Sequence, residues 1–368
     1  MTAGLSRLKP FLAKIADSGT LSEQEASDAF EIIMSGEATP AQMGAFLLAM
    51  RCRGETVDEI TGAARIMRAK ALTLQAPAGA MDCCGTGGDS AGTFNISTAV
   101  SFVLAGLGIP VAKHGNRALS SKTGAADVLT ALGVNIDADF RLVEQSLTDA
   151  NLCFLFAIRH HGAMRHVGPT RTELGTRTVF NLLGPLSNPA RAQLQLMGVF
   201  AERWVEPLAQ VLGKLGTRRA WVVHGRDGLD EITTTTETAV AELVDGRVRT
   251  FTVTPEDAGL SRARPEDLKG GESDENAEAI QRILAGETGA YRDIVLLNAA
   301  AALIVAGKAS TLREGADLAG RAIDDGRAAR TLERIVEITN RPPPTDPEDD
   351  AAADPTSRKT VETKGNAA

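Results

Sequence analysis

Glycines, hydroxyls and cations are concentrated between Asp82 and Ser121, in the stretch DCCGTGGDSAGTFNISTAVSFVLAGLGIPVAKHGNRALSS. Gly85, Gly87, Gly88 and Gly92 leave the backbone bare, so that several N–H groups can converge on one anion. Asn95, Ser97 and Thr98 add amide and hydroxyl donors where a helix begins, and a helix start attracts anions through its free N–H groups and dipole. A second turn brings Lys113, His114, Asn116 and Arg117, a mobile cation beside a planar one, with Ser120 and Ser121 behind. The pattern is not a dinucleotide fingerprint, because Ser90 stands where its third glycine belongs, and no Gly-Lys-Ser/Thr closes a P-loop. One glycine cluster alone is as easily an ordinary turn. Two such loops, one carrying Lys-His-Gly-Asn-Arg, point to a ligand with more than one phosphate.

Two further constellations carry chemistry. Asp230 and Glu231 lie in HGRDGLDEITTTTET. Adjacent acids are usually just solvated, but a pyrophosphate needs neutralising, and Mg²⁺ does this while taking only one or two carboxylates. Residues 158–189 crowd His160, His161, Arg165, His166, Arg171 and Arg177 into one segment. No acidic or cysteine partner is spaced there for a closed zinc site. An arginine, by contrast, clamps a carboxylate bidentately. Arg177 and Asn181 read as hinge or packing residues and are left out of the site. No Ser–His or Cys–His dyad is indicated, so a covalent intermediate is not expected.

These residues need a scaffold, and the rest of the chain supplies one. The 368 residues are 43% hydrophobic and 4% aromatic with a net charge of −8, values of a chain with a sizeable core and without the basic field of a nucleic-acid binder. Residues 1–75 read as helices only, with capping-box spacing at Ser22/Glu25, Thr39/Gln42 and Thr56/Glu59. From 76 to 340 helices and strands alternate: a helix from Thr98 to Leu107, the strand IPVAKHG, a helix from Thr123 to Leu132, the short strand GVNID, a helix from Arg141 to Thr148, then LCFLFA, LQLMGVF, a helix from Trp204 to Leu215 and RRAWVVHG. This grammar predicts an α/β fold, a mainly parallel sheet flanked by helices, with ligand loops at the carboxyl ends of strands. A hairpin is expected over 239–253, turning at Asp245-Gly246, and helices to about 340. The tail 341–368 should be disordered. Cys52, Cys83, Cys84 and Cys153 read as reduced, buried thiols of a cytoplasmic protein. No signal-peptide core and no apolar run of about 18 residues is present.

GTGGD followed by N-x-S-T, KHGNR-x-x-SS and DGLDE resembles the anthranilate phosphoribosyltransferases over roughly residues 5–340. The resemblance implies transfer of a phosphoribosyl group from 5-phosphoribosyl 1-pyrophosphate (PRPP) to anthranilate, in tryptophan biosynthesis. It implies PRPP binding by Gly85, Gly88, Asp89, Thr93, Asn95, Ile96, Ser97, Thr98, Lys113, His114, Gly115, Asn116, Arg117, Ala118, Leu119, Ser120 and Ser121. Anthranilate is then expected at Gly85, His114, Asn116, His161, Arg171 and Pro185, with Arg171 on its carboxylate. Two Mg²⁺ ions are expected at Ser97, Asp230 and Glu231. The family further implies a homodimer through the helical domain, to which part of 160–195 is added. Relatives often have proline at Gly162, and valine and arginine at Thr170 and Thr172; these departures touch the substrate channel rather than Arg171. A pyrimidine nucleoside phosphorylase would carry a Lys-x-Ser-x-Arg pattern instead of His114-Gly115-Asn116. A non-catalytic nucleic-acid-binding relative would lose Asp230-Glu231 and gain basic charge.

Overall fold

The computed structural model describes residues 7–89, 91–118 and 122–343; the tail expected to be disordered falls, from 344 onward, outside the described residues. Four helices come first: α1 (Lys9–Ala16), α2 (Glu23–Met34), α3 (Pro40–Arg53) and α4 (Val57–Ala69). Ser22, Thr39 and Thr56 each close a reciprocal capping box with Glu25, Gln42 and Glu59. Each box satisfies two orphan N–H groups and fixes where its helix starts. Short helices of this kind are held by tertiary packing. Phe30 of α2 meets Phe46 of α3 edge-on at 5.9 Å, and Phe180, far along the chain, at 5.7 Å. Val167, Val179, Leu182 and Leu183 are buried in the same cluster.

The second layer is a seven-stranded sheet. Its strands are β1 (Met81–Gly85), β2 (Val111–Gly115), β3 (Leu152–Phe156), β4 (Leu194–Gly198), β5 (Arg219–Gly225), β6 (Thr238–Val244) and β7 (Arg247–Val253), in the order β3-β2-β1-β4-β5-β6-β7. The first five are mutually parallel, and β6 and β7 close one edge antiparallel. Helices α5 (Ile96–Gly106), α6 (Ala125–Ala131), α7 (Phe140–Asp149), α8 (Ala157–His160), α9 (Gly168–Leu174), α10 (Phe180–Leu186) and α11 (Val205–Lys214) alternate with the strands, and α12 (Ser273–Leu284), α13 (Ala290–Val305), α14 (Leu312–Asp324) and α15 (Arg327–Thr339) complete the cover. Parallel strands covered on both faces must be apolar throughout, and Leu152–Phe156 is buried at every position. Strand order reverses between β1 and β4, which opens a crevice at their carboxyl ends, the usual ligand position in such sheets. The expected hairpin turns at Asp245 and Gly246, both at positive φ.

Three expectations differ from the structure. GVNID is not a strand. Gly133 at φ +88° stops α6, Val134 donates back to the Leu129 carbonyl, and Asn135 accepts from the Asp137 N–H. The segment is a helix cap followed by an Asx turn, with Val134 and Ile136 as apolar anchors. The stretch after β7 is not continuously helical, since 254–272 carries only two short 3₁₀ turns, Pro255–Ala258 and Pro265–Leu268. Finally, Cys52 is exposed, whereas Cys83, Cys84 and Cys153 are buried.

Candidate active site

The glycine loop leaves β1 at the crevice and is shaped by a carboxylate from another strand. Asp230, in the loop after β5, accepts from the Gly87 N–H at 2.7 Å. It presses so closely on β1 and β4 that a Cβ at Gly85 would lie 2.4 Å from its Oδ2, and a Cβ at Gly198 only 1.4 Å from its carbonyl oxygen. Both positions must therefore be glycine for Asp230 to sit where it does. Thr86 continues the β1–β4 pairing by donating to the Gly198 carbonyl, and its hydroxyl accepts from the Phe200 N–H. Asp89 accepts from the Ala91 N–H and tightens the far end of the loop. Asn95 sits at the start of α5 without capping it: its side chain instead reaches the Thr123 carbonyl and accepts from Asn276. In the first turn of α5 the Ile96 N–H donates to the Phe94 carbonyl and the Ser97 N–H to the Glu231 carboxyl, which ties the helix start to the DGLDE segment. Ile96 and Thr98 are buried beneath that turn, and Thr93 pairs with Lys269.

Electrostatics set this junction apart. Burial pushes the Asp230 carboxyl up, with the charge of Asp89 adding to it, and burial followed by Asp230 pushes Glu231 up. Lys113 pulls Glu231 the other way. The sequence suggested a mobile lysine, but Lys113 is 2% exposed and donates to the Cys83 carbonyl at 2.7 Å and the Ser97 hydroxyl at 3.1 Å. It is a fixed charge beneath the loop. Among the described residues no three His, Cys, Asp or Glu side chains converge as a closed metal cage. Two mutually repelling carboxylates beside a serine hydroxyl form instead the open, all-oxygen donor set that suits a largely hydrated Mg²⁺.

The second loop is pinned by a residue the sequence reading passed over. Asp127, at the third position of α6, accepts from the N–H groups of Ala118 and Gly124 and from the Arg117 guanidinium. Arg117 is thus already paired. Asn116 accepts the Arg117 N–H on its side chain. The expected Leu119, Ser120 and Ser121 lie outside the described residues. Gly115 is hemmed by the Phe154 ring.

His114 and His161 meet through their Nε2 atoms at 3.2 Å. Burial, and then each ring's histidine neighbours, depress both, His161 to about 4, so the pair is neutral at pH 7. One ring donates and the other accepts. His160 is separate, with its Nδ1 on the Leu72 carbonyl. Pro185 is buried in α10, its carbonyl accepting from Gln195. Arg171, on α9, stands apart from the phosphate loops. Burial lowers its pKa, its guanidinium lies 5.5 Å from the Phe180 ring centre, and no carboxylate is within ion-pair distance among the described residues.

Sequence reasoning missed the supports. Asp82, fully buried, accepts from the His114 N–H and from Asn188, which also donates to the Ala112 carbonyl, so one carboxylate ties β1, β2 and the α10–β4 connection together. Residues 268–270 pair with 92–94, and Phe94 stacks on Tyr291 at 4.4 Å. Arg177, set aside as packing, donates to the Gly88 carbonyl and stacks over Phe200. Only Asp127 left a local signal, its capping-box spacing from Gly124.

A helical bundle joined to an α/β layer, with anion loops at the sheet's reversal point, defines a class of pentose-transferring enzymes. The chain matches the glycosyl transferase family helical bundle domain over residues 9–71 and the family's a/b domain over 78–329. It is 66% identical to anthranilate phosphoribosyltransferase of Paramagnetospirillum magneticum over 92% of this chain and 97% of that one, and 64% identical to the Azospirillum brasilense enzyme over 91% and 94%. Among solved structures it resembles the Thermus thermophilus anthranilate phosphoribosyltransferase, with a TM-score of 0.85 and 43% identity over 90% of this chain and 99% of that chain. The Saccharomyces cerevisiae enzyme in complex with PRPP and Mg superposes with a TM-score of 0.82 at 27% identity, over 90% and 97%. The chain belongs to the anthranilate phosphoribosyltransferase family, and its reaction is that family's: anthranilate and PRPP give N-(5-phosphoribosyl)anthranilate and pyrophosphate.

The raised carboxyls carry a stability consequence. An acid whose folded pKa lies above its unfolded value binds more protons when folded, so its stabilising share is complete below the unfolded pKa and is lost as pH rises through the folded one. Asp230→Asn and Glu231→Gln should therefore raise the metal-free melting temperature at pH 7, by roughly 1–3 °C each, while abolishing turnover. The gain should vanish near the unfolded carboxyl range, about pH 4. Calorimetry at the two pH values without divalent metal checks this; a gain of equal size at both would contradict it.

Proposed function

We propose that the two anion loops hold PRPP and that Asp230, Glu231 and Ser97 hold two Mg²⁺ ions against its pyrophosphate. The observation that carries this reading is the meeting of Asp230 with Gly85 and Gly87, which brings the carboxylate pair onto the glycine loop itself. N–H groups around Gly85, Gly88, Asp89, Asn95 and Thr98 would take phosphate oxygens; in the second loop, where the Arg117 and Ala118 N–H groups are bonded to Asn116 and Asp127, the side-chain amide N–H of Asn116 would do so. Magnesium, when bound, supplies positive charge to the pyrophosphate. Lys113 acts through space from beneath, lowering the negative potential that the carboxylates create.

Anthranilate is assigned to the side of the crevice near His114, His161, Asn116, Pro185 and Gly85, with its carboxylate on Arg171. A desolvated, unpaired guanidinium is primed for a bidentate anion. The aniline nitrogen is neutral at pH 7, so it needs alignment more than a strong base. The bond from the anomeric carbon to the pyrophosphate oxygen breaks through an oxocarbenium-like transition state, the C–N bond forms, and the amine gives up one proton. Covalent catalysis is disfavoured here, because burial raises the Cys83 and Cys84 thiols well out of the nucleophilic range. We place the domain boundary near residue 75, with α9 and α10 added to the helical unit on account of their shared core. The buried, reduced thiols suit a cytoplasmic setting, and no helix among the described residues is long and apolar enough to cross a membrane.

We assign a homodimer to the outer face of α3. Ala41, Ala45, Leu48 and Cys52 recur there at helical spacing and all are exposed, Leu48 to 43%. A helix apolar on both faces needs a second partner.

Two outcomes follow. Arg171→Ala should raise KM for anthranilate by roughly 10–100-fold, the worth of a charged hydrogen-bonded pair, with KM for PRPP unchanged; equal losses for both substrates would refute the carboxylate assignment. Leu48→Asp should shift the protein from dimer to monomer in light scattering, and an unchanged mass would remove α3 from the interface.

A further inference from the structure

A cavity of about 500 Å³ lies between the α3–α4 connection and the start of α11, and none of the residues assigned above to PRPP, metal or anthranilate lines it. Arg51, Arg53, Arg177 and Arg203 all face it. Arg53 is paired with the buried Glu59. The other three have no carboxylate within ion-pair distance among the described residues. Arg51 donates to the Arg177 carbonyl and Arg177 to the Gly88 carbonyl, neutral acceptors that leave the charge uncompensated. The lining holds one acid, Glu55, whose carboxyl burial pushes up while the charges of Arg203 and Arg51 draw it back; a single acid offsets only part of the positive charge there. All three guanidinium groups are exposed to solvent at the rim of the hollow, where their shared positive potential favours an anion between them.

Two buried donors are orphaned at the same place. Among the described residues, Trp204, 7% exposed, has no acceptor for its indole Nε1–H, and Thr178, 3% exposed, has no partner for its hydroxyl. A buried polar group left unmet costs about 1–3 kcal/mol, and its usual resolution is a bound water or ligand. The remaining walls are apolar: Leu182, Pro207 and the Phe200 ring, 4.3 Å beneath the Arg177 guanidinium. A bare inorganic anion would leave these walls wet.

We propose that this cavity is a second ligand site, taking a small carboxylate with an apolar or aromatic body. The carboxylate sits between Arg51, Arg177 and Arg203, and the body lies against Phe200 and Trp204. Arg177 also holds the Gly88 carbonyl, so the site adjoins the glycine loop while leaving further N–H donors of this guanidinium for a ligand. The site spans the helical unit and the sheet layer, and its rim at Cys52 adjoins the α3 face assigned to the dimer, so the full chain in its native oligomeric state is the material to test.

The protein has two tryptophans, and they report differently. Trp221 is bonded to Glu242 at 3.0 Å and serves as an internal control for Trp204. Fluorine NMR of 5-fluorotryptophan-labelled protein, assigned with Trp204→Phe, would be followed during titration with sodium benzoate and, separately, inorganic phosphate. The expected result is a saturable shift of the Trp204 signal with benzoate, a fixed Trp221 signal, and an apparent Kd weakened roughly tenfold or more in Arg203→Ala but unchanged in Arg171→Ala. No saturable shift, or a shift that survives Arg203→Ala, would overturn the site. Loss of the shift in Arg171→Ala would mean that benzoate reports only the substrate pocket. Phosphate matching benzoate in affinity would overturn the apolar-body assignment.

Discussion

Asp230 is pressed between two strands whose neighbouring positions have no side chains. Its carbonyl fills the space a Cβ would take at Gly198, and its carboxylate fills the space at Gly85. Gly198 and Gly85 are register partners on β4 and β1, the strands that meet where the sheet order reverses. The reversal opens the crevice, and the two glycines let the loop after β5 fold down into it. Only then can Asp230 accept the Gly87 N–H and fix the glycine loop. A methyl group at Gly198 would displace a peptide of the DGLDE segment by more than side-chain adjustment can absorb, because the obstructing atoms are backbone, whereas at Gly85 it would push aside the Asp230 carboxylate.

The same approach explains the electrostatic character of the site. Loops converging on one crevice bring Asp89, Asp230 and Glu231 together; burial pushes the Asp230 and Glu231 carboxyls up, and the neighbouring acidic charges add to it. Lys113 offsets this from below, held by Cys83 and Ser97. Asp82 ties β1 to β2 and to Asn188, so the strand that delivers Lys113 and His114 is braced by a buried carboxylate on its neighbour. Repulsion kept within a rigid frame favours whatever brings compensating positive charge, and an oxygen-rich donor set makes that a divalent cation.

What could be read in the sequence was what is encoded over short distances. Capping boxes at Ser22, Thr39 and Thr56 and the Asp245-Gly246 turn are each set by a few adjacent residues, and each forms as expected. GVNID has strand-like residues, yet Gly133 lets the chain cap α6 instead. The buried state of Lys113, the bracing of the glycine loop by residues 268–270 and the Arg177–Gly88 contact all depend on partners distant in the chain. Composition and period carry no trace of such pairings. Asp82 shows the limit most plainly: beside two cysteines it looks like an ordinary strand residue, and its role becomes visible only when Asn188 arrives from 106 positions away.

The role of this junction is measured by the dependence of turnover on PRPP in Gly198→Ala, followed by the decay of anthranilate fluorescence with excess Mg²⁺. A methyl group there leaves every loop side chain in the sequence and alters only where Asp230 and Glu231 can sit. In Gly198→Ala, kcat/KM for PRPP should fall by roughly 100-fold, the scale of an ångström-sized misplacement of catalytic groups, in protein whose circular dichroism matches wild type. Turnover within about twofold of wild type would show that the junction tolerates a displaced Asp230 and that the glycine pair is not what sets the site.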